Sequence, residues 1–158
     1  MRRHGAILLL SVLTILHCTS CAKVPLAPPE LDAAAKEFRP HPDKAIIYIV
    51  RPGAFTGAAI NITPVFDQKI LGALKGGTYA VVEVEPGPHQ VVLFGGENMG
   101  AVTIQAEAGR LYFVRVQPGI GVWASQVLVE LLSEEQGKEF VRVGKRAQTL
   151  EMLSTPQQ

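Results

Sequence analysis

The most regular feature of the chain is an alternation of apolar and polar positions that begins after Lys44. Val102, Ile104 and Ala106 share one face of an extended segment whose other face holds Thr103, Gln105 and Glu107. Ala80, Val82 and Val84 oppose Val81, Glu83 and Glu85 in the same way, and Val127, Val129 and Leu131 oppose Leu128 and Glu130. A period of two buries one face of a β-strand and leaves the other wet. Residues 45–50, 91–94 and 111–116 are apolar almost throughout, which predicts central strands or strands covered on both faces. Residues 61–66 form a weaker strand, since Pro64 cannot donate to a ladder and belongs at an edge or bulge; residues 70–74 make a short partner. Twelve of the fifteen glycines lie between Gly53 and Gly121, mostly at the breaks between these segments. The pattern predicts an all-β fold: an antiparallel β-sandwich of about seven to eight short strands. It ends differently, because Ser133-Glu134-Glu135-Gln136 is a capping box that starts a helix running to about Val143. Gly144 makes a break there, and residues 144–158 form a partly helical extension.

The first 43 residues lack the alternation. Residues 1–20 pair the basic start Arg2-Arg3 with an apolar run from residue 6 to 16, then small residues, which is the layout of a secretion signal. The run is too short to cross a hydrocarbon core of about 30 Å. The sequence Leu16-His17-Cys18-Thr19-Ser20-Cys21 resembles a bacterial lipobox with Cys21 as the acylated residue, since Ser20 is the small residue expected before it; Cys18 stands where leucine is usual. Residues 21–43 hold five of the eleven prolines around an alanine-rich stretch, residues 31–38, and read as a semi-stiff tether with one or two helical turns, or a disordered leader, before a domain spanning residues 44–143.

Composition narrows the function classes. Removal of residues 1–20 leaves 13 basic against 14 acidic residues, a net charge of −1, which offers no footprint for nucleic acid and no basic stripe for a membrane. Cys18 and Cys21 also spell Cys-x-x-Cys, but a zinc site needs a second ligand pair and a redox pair needs a βαβ context. With Cys21 acylated, the mature chain has no free thiol and no disulfide. The two remaining histidines, His41 and His89, sit in the tether and at a strand start, so no cofactor or metal is expected.

Several segments together resemble the DUF2846 domain, a bacterial group of unknown function. These are Ala45-Ile46-Ile47-Tyr48-Ile49-Val50-Arg51-Pro52, Asp67-Gln68-Lys69-Ile70-Leu71-Gly72, Gly77-Thr78-Tyr79, Pro86-Gly87-Pro88-His89, and Ala108-Gly109-Arg110-Leu111-Tyr112-Phe113-Val114. Trp123, the following strand and the acidic Glu134-Glu135-Gln136-Gly137 continue the likeness. The resemblance implies an envelope lipoprotein of β-sandwich type and no known activity. Gln68 departs from the glycine usual in the hairpin, which predicts a looser connection than a tight turn with positive φ.

These readings predict a non-enzymatic lipoprotein, anchored at Cys21 and facing the periplasm from the outer membrane, because no aspartate follows the anchor. It binds an envelope protein through an exposed sheet edge or the Gly95–Gly100 loop, with Glu97, Asn98 and Trp123 as the candidate surface. One alternative is a peptidoglycan or glycan module using Trp123. The other is a hydrolase built on Glu83 and Glu85, about 7 Å apart along one strand face.

Overall fold

A computed structural model describes residues 24–53, 60–120 and 125–150. The elements run α1 (Pro29–Ala35), β1 (Ala45–Arg51), β2 (Val65–Phe66), β3 (Lys69–Ile70), β4 (Thr78–Val84), β5 (Gly87–Phe94), β6 (Met99–Ala106), β7 (Leu111–Ile120), β8 (Ser125–Leu131), α2 (Glu134–Val143) and β9 (Lys145–Arg146). Two sheets result, of order β8-β7-β1-β4-β9 and β3-β2-β5-β6. This is the β-rich, sandwich-like arrangement with a C-terminal helix that the alternation predicts. The second sheet is antiparallel throughout, whereas the first is mixed: β1 runs parallel to β7, and β4 parallel to β9. Between β1 and β7 the chain builds the whole second sheet, which supplies the long crossover that a parallel pair requires.

The strand β1 is buried at all seven positions, six as its apolar run predicts and the seventh at Arg51, whose guanidinium donates to the Leu74 carbonyl at 2.6 Å. Ala45, Ile47 and Ile49 point between the sheets and meet Val82, Val91, Leu93, Ile104 and Val114. Ile46, Tyr48 and Val50 point the other way, into a second core with Tyr79, Phe113, Ala35 and Val141. The first sheet therefore carries a sheet on one face and helices on the other. Burial of each large side chain in that outer core contributes about 1.5–3 kcal/mol, so the covering layer is part of the fold.

Part of that layer comes from residues expected to be a tether, Ala35 and Phe38. Ala35 of α1 is buried on the outer face of the sheet, Ala27 is buried before it, and Val24 packs into the core between the sheets. The Ala27 amide donates to the Arg146 carbonyl at 2.9 Å and the Gln148 amide to the Pro25 carbonyl at 2.9 Å, so residues 24–27 extend the sheet edge beyond β9. The Asp32 carboxylate ties the layer down: it accepts from the Lys36 ammonium at 2.8 Å, the Tyr79 hydroxyl at 2.7 Å and the Arg146 amide at 2.7 Å. Burial alone would raise its pKa, but these three donors outweigh burial and hold it below the ordinary carboxylate value. The Tyr48 hydroxyl donates to the Ala35 carbonyl, and burial pushes its pKa up to about 12. After α1 the chain turns through Phe38 at a φ of 54°, a left-handed conformation that costs about 1–2 kcal/mol. The turn sets the Phe38 ring 5.7 Å from Tyr48 and 6.2 Å from Phe113, with Lys138 and Arg142 of α2 over it.

The capping box forms as predicted, with the Ser133 side chain accepting from the Gln136 amide and Gln136 reaching back. Past Gly144 the chain runs extended before it turns helical at Leu150, and the rest of the expected extension lies outside the described residues. The extended stretch enters β9 and then crosses to the second sheet, where the Leu150 amide donates to the Leu71 carbonyl. On the opposite side β6 packs on β8, Gly100 lying directly against Val129.

Gly137 of α2 lies directly against the sheet, and any Cβ there would overlap the Phe113 side chain. Gly137→Ala should therefore lose about 1–3 kcal/mol in urea denaturation by overpacking, despite alanine's better helix propensity. Glu139→Ala, on the exposed side of the same helix, should leave the midpoint unchanged.

Candidate functional site

The two sheets are closed along β6 and β8 but only strapped together on the opposite side. There the connection from β4 to β5 passes from one sheet to the other through Glu85 and Pro86, and residues 148–150 cross higher up. Between them opens a cleft of about 550 Å³ with an apolar floor of Phe66, Leu71, Val82, Val84 and Leu150, rimmed by Asp67, Lys69, Glu83, Glu85 and His89.

One wall of this cleft is an unpaired strand edge. The strand β9 pairs with β4 only at Thr78 and Tyr79, and no other strand among the described residues pairs with β4 on that side. The register fixes which groups point outward. Ile46 donates its amide to Arg110 on the β7 side, so its partner across the ladder, Glu83, turns its amide and carbonyl away from β1. Val81 does the same. Val82 and Glu83 stand between the cleft and a second groove of about 770 Å³ beneath α1, so the edge is open from both sides.

His89 sits at the foot of the cleft. Its Nδ1 is 2.6 Å from Asp67 Oδ2 and its Nε2 is 2.8 Å from the Glu85 carbonyl, while the ring stacks on Phe66 at 5.7 Å. Both ring nitrogens thus face acceptors, which a doubly protonated imidazolium satisfies. Desolvation opposes that charge, but the bond to Asp67, the bond to the Glu85 carbonyl and the Asp67 charge outweigh it and raise the His89 pKa above 6.5. The second Asp67 oxygen accepts from the Gln90 amide at 2.8 Å.

This network explains a departure from expectation in the β2–β3 hairpin. Phe66 pairs with Lys69, so Asp67 and Gln68 alone make the turn, with φ of 44° and 67°. The connection is the tight one that Gln68 argued against. Two non-glycine residues in left-handed conformations cost about 1–2 kcal/mol each, and the bonds from His89 and Gln90 to Asp67 hold the turn in place.

Of the residues singled out by sequence, Glu83 and Glu85 do meet at the cleft rim, with Glu85 3.6 Å from Lys44. Asn98 lies at the closed edge, where its side chain accepts from the Val127 amide at 2.7 Å and donates to the Val127 carbonyl at 2.9 Å. Glu97 accepts from Gln126 beside it. Both therefore join the β5–β6 hairpin to β8. His41 accepts from the Asp43 amide within its own turn. Cys21 and Trp123 lie outside the described residues. No group of three or more histidine, cysteine, aspartate or glutamate side chains able to hold a metal occurs among the described residues, and no helix among them is long and apolar enough to cross a membrane. Sequence reasoning missed Asp67 and the open β4 edge. The first is 22 residues from His89, and the second arises from where pairing stops.

Residues 41–126 match the model of a family described as a protein of unknown function, DUF2846. An uncharacterised protein of Haemophilus influenzae is 30% identical over 124 residues, covering 78% of this chain and 73% of that one. No solved structure matches.

The raised His89 pKa makes stability pH-dependent with a definite sign. The favoured imidazolium contributes fully below pH 6.5, and its contribution fades as pH rises through the higher folded value. Urea midpoints measured from about pH 5 to 8 should fall across the upper part of that range, and His89→Gln should flatten the fall.

Proposed function

The chain belongs to the DUF2846 family of proteins of unknown function, and we propose that it is a lipid-anchored envelope protein, held through Cys21, that binds a partner and does not catalyse a reaction. The partner is an extended segment of another envelope protein that adds a strand to β4. The observation that carries this reading is the outward backbone of Val81 and Glu83, unpaired by any strand among the described residues and flanked by an apolar cleft. Strand addition draws affinity from backbone hydrogen bonds and specificity from alternate side chains. An added strand would place every second side chain over Leu71, Val82 and Leu150. Glu83, which makes no ion pair among the described residues, suits a basic residue opposite it.

The leader supports the anchor: a basic start, a short apolar run and a lipobox-like Ser20-Cys21. Alanine after Cys21 favours the outer membrane, with the domain facing the periplasm. The glycan reading depends on Trp123 and gains no support from the described residues. For the hydrolase reading, Glu85 faces the Lys44 ammonium at 3.6 Å.

Glu83→Pro tests the mode of binding, because the lost amide faces outward and is not part of the β1 ladder. A photo-crosslinking residue at position 69, on the cleft rim, should capture an envelope protein in cells. The Glu83→Pro variant should lose that product while keeping its urea midpoint. Persistence of the same product in the folded variant would rule out strand addition at β4.

A further inference from the structure

The buried position of Val24 fixes how the domain sits on its membrane. An anchor on a 23-residue spacer would let the domain tumble tens of ångströms from the lipid. Here Val24, the first described residue, is 5% exposed and packed among the residues between the two sheets. Only Ala22 and Lys23 separate it from Cys21. Three Cα steps of 3.8 Å allow at most about 11 Å between the Cα of Cys21 and that of Val24.

The surface around Val24 is the strapped edge of the sandwich. Its neighbour Pro25 is bonded to Gln148, and two residues further on the Leu150 amide is bonded to Leu71, next to Ile70. Ile70 and Leu150 are 57% and 50% exposed, and both face the cleft mouth; Leu26, on the outermost extended segment, is 44% exposed. Large apolar side chains displayed together beside a lipid attachment point have an obvious low-energy partner in the bilayer interface.

We infer that the acylated protein rests on the bilayer through this strapped edge, with Ile70 and Leu150 in the lipid interface and the cleft opening beside the headgroups. The inference rests on the acylation of Cys21 proposed above. It also narrows the partner, because a strand that reaches β4 must approach along the membrane surface, as the juxtamembrane stretch of an anchored protein does.

The test uses the lipoprotein purified from membranes and reconstituted in phosphatidylethanolamine–phosphatidylglycerol vesicles, with an environment-sensitive fluorophore on a single cysteine replacing Ile70, Leu150 or Leu131. Leu131 is 51% exposed on β8, the edge of the five-stranded sheet opposite β9, and controls for apolarity without proximity. Emission from positions 70 and 150 should shift to the blue and be quenched by spin-labelled lipid, while emission from position 131 should show neither change. Equal, water-like emission from all three, with acylation of Cys21 verified by mass spectrometry, would overturn the orientation while leaving the anchor intact. An unmodified Cys21 in the same spectrum would overturn the anchor and the orientation together.

Discussion

The fold depends on one constraint, that β1 is apolar on both faces. A strand with Ile47 and Ile49 on one side and Ile46, Tyr48 and Val50 on the other cannot lie at the surface of a two-layer sandwich. It requires a third layer, and the chain supplies one from both of its ends. The α2 helix brings Gly137 and Val141 onto Phe113, and α1 brings Ala35 onto Tyr48. Asp32 joins this layer to the sheet through Tyr79 and to β9 through Arg146, so the N-terminal segment, the sheet and the C-terminal strand meet at one carboxylate. Breaking that junction would leave a buried hydroxyl and a backbone amide without their acceptor, at a cost of about 1–3 kcal/mol for each buried group.

Much of this was legible in the sequence, and the failures have physical causes. The period of two located most of the strands, the continuous run at residues 45–50 marked the doubly buried one, and the capping box gave the start of α2. The segment before β1 was misread because prolines 25, 28 and 29 suggest a stiff linker. The expected helical turns do form, with Pro29 as the first helical residue, where its missing amide costs nothing, but they are docked, and the small side chains of Ala27 and Ala35 allow close packing that no hydrophobic run announces. Gln68 was misread because local preference favours glycine in a left-handed turn. The competing term was tertiary: His89 and Gln90 fix Asp67 from the neighbouring strand. Two-residue strands such as β3 and β9 carry too few side chains to show a period.

The candidate site follows a similar pattern. Glu83 and Glu85 were visible as a pair on one strand face, and His89 as a strand-start residue that bonds locally. The cleft was not visible, because it is created by β9 stopping two residues along β4 and by the chain then crossing to Leu71. Exposed strand edges are commonly protected by charge, and Glu83 discourages indiscriminate pairing. Under the strand-addition proposal, the same charge would select among partners for this edge.

The central claim is that residues 24–37 belong to the fold and do not act as a spacer. Amide hydrogen exchange resolved to Ala27 and Gln148 tests it most directly, since the donors at 2.9 Å to Arg146 and Pro25 exist only if that segment is docked. The account predicts slow exchange at both amides, approaching that of Ile47 in β1. Exchange at the rate of an unstructured peptide at Ala27 and Gln148, with Ile47 still protected, would contradict it.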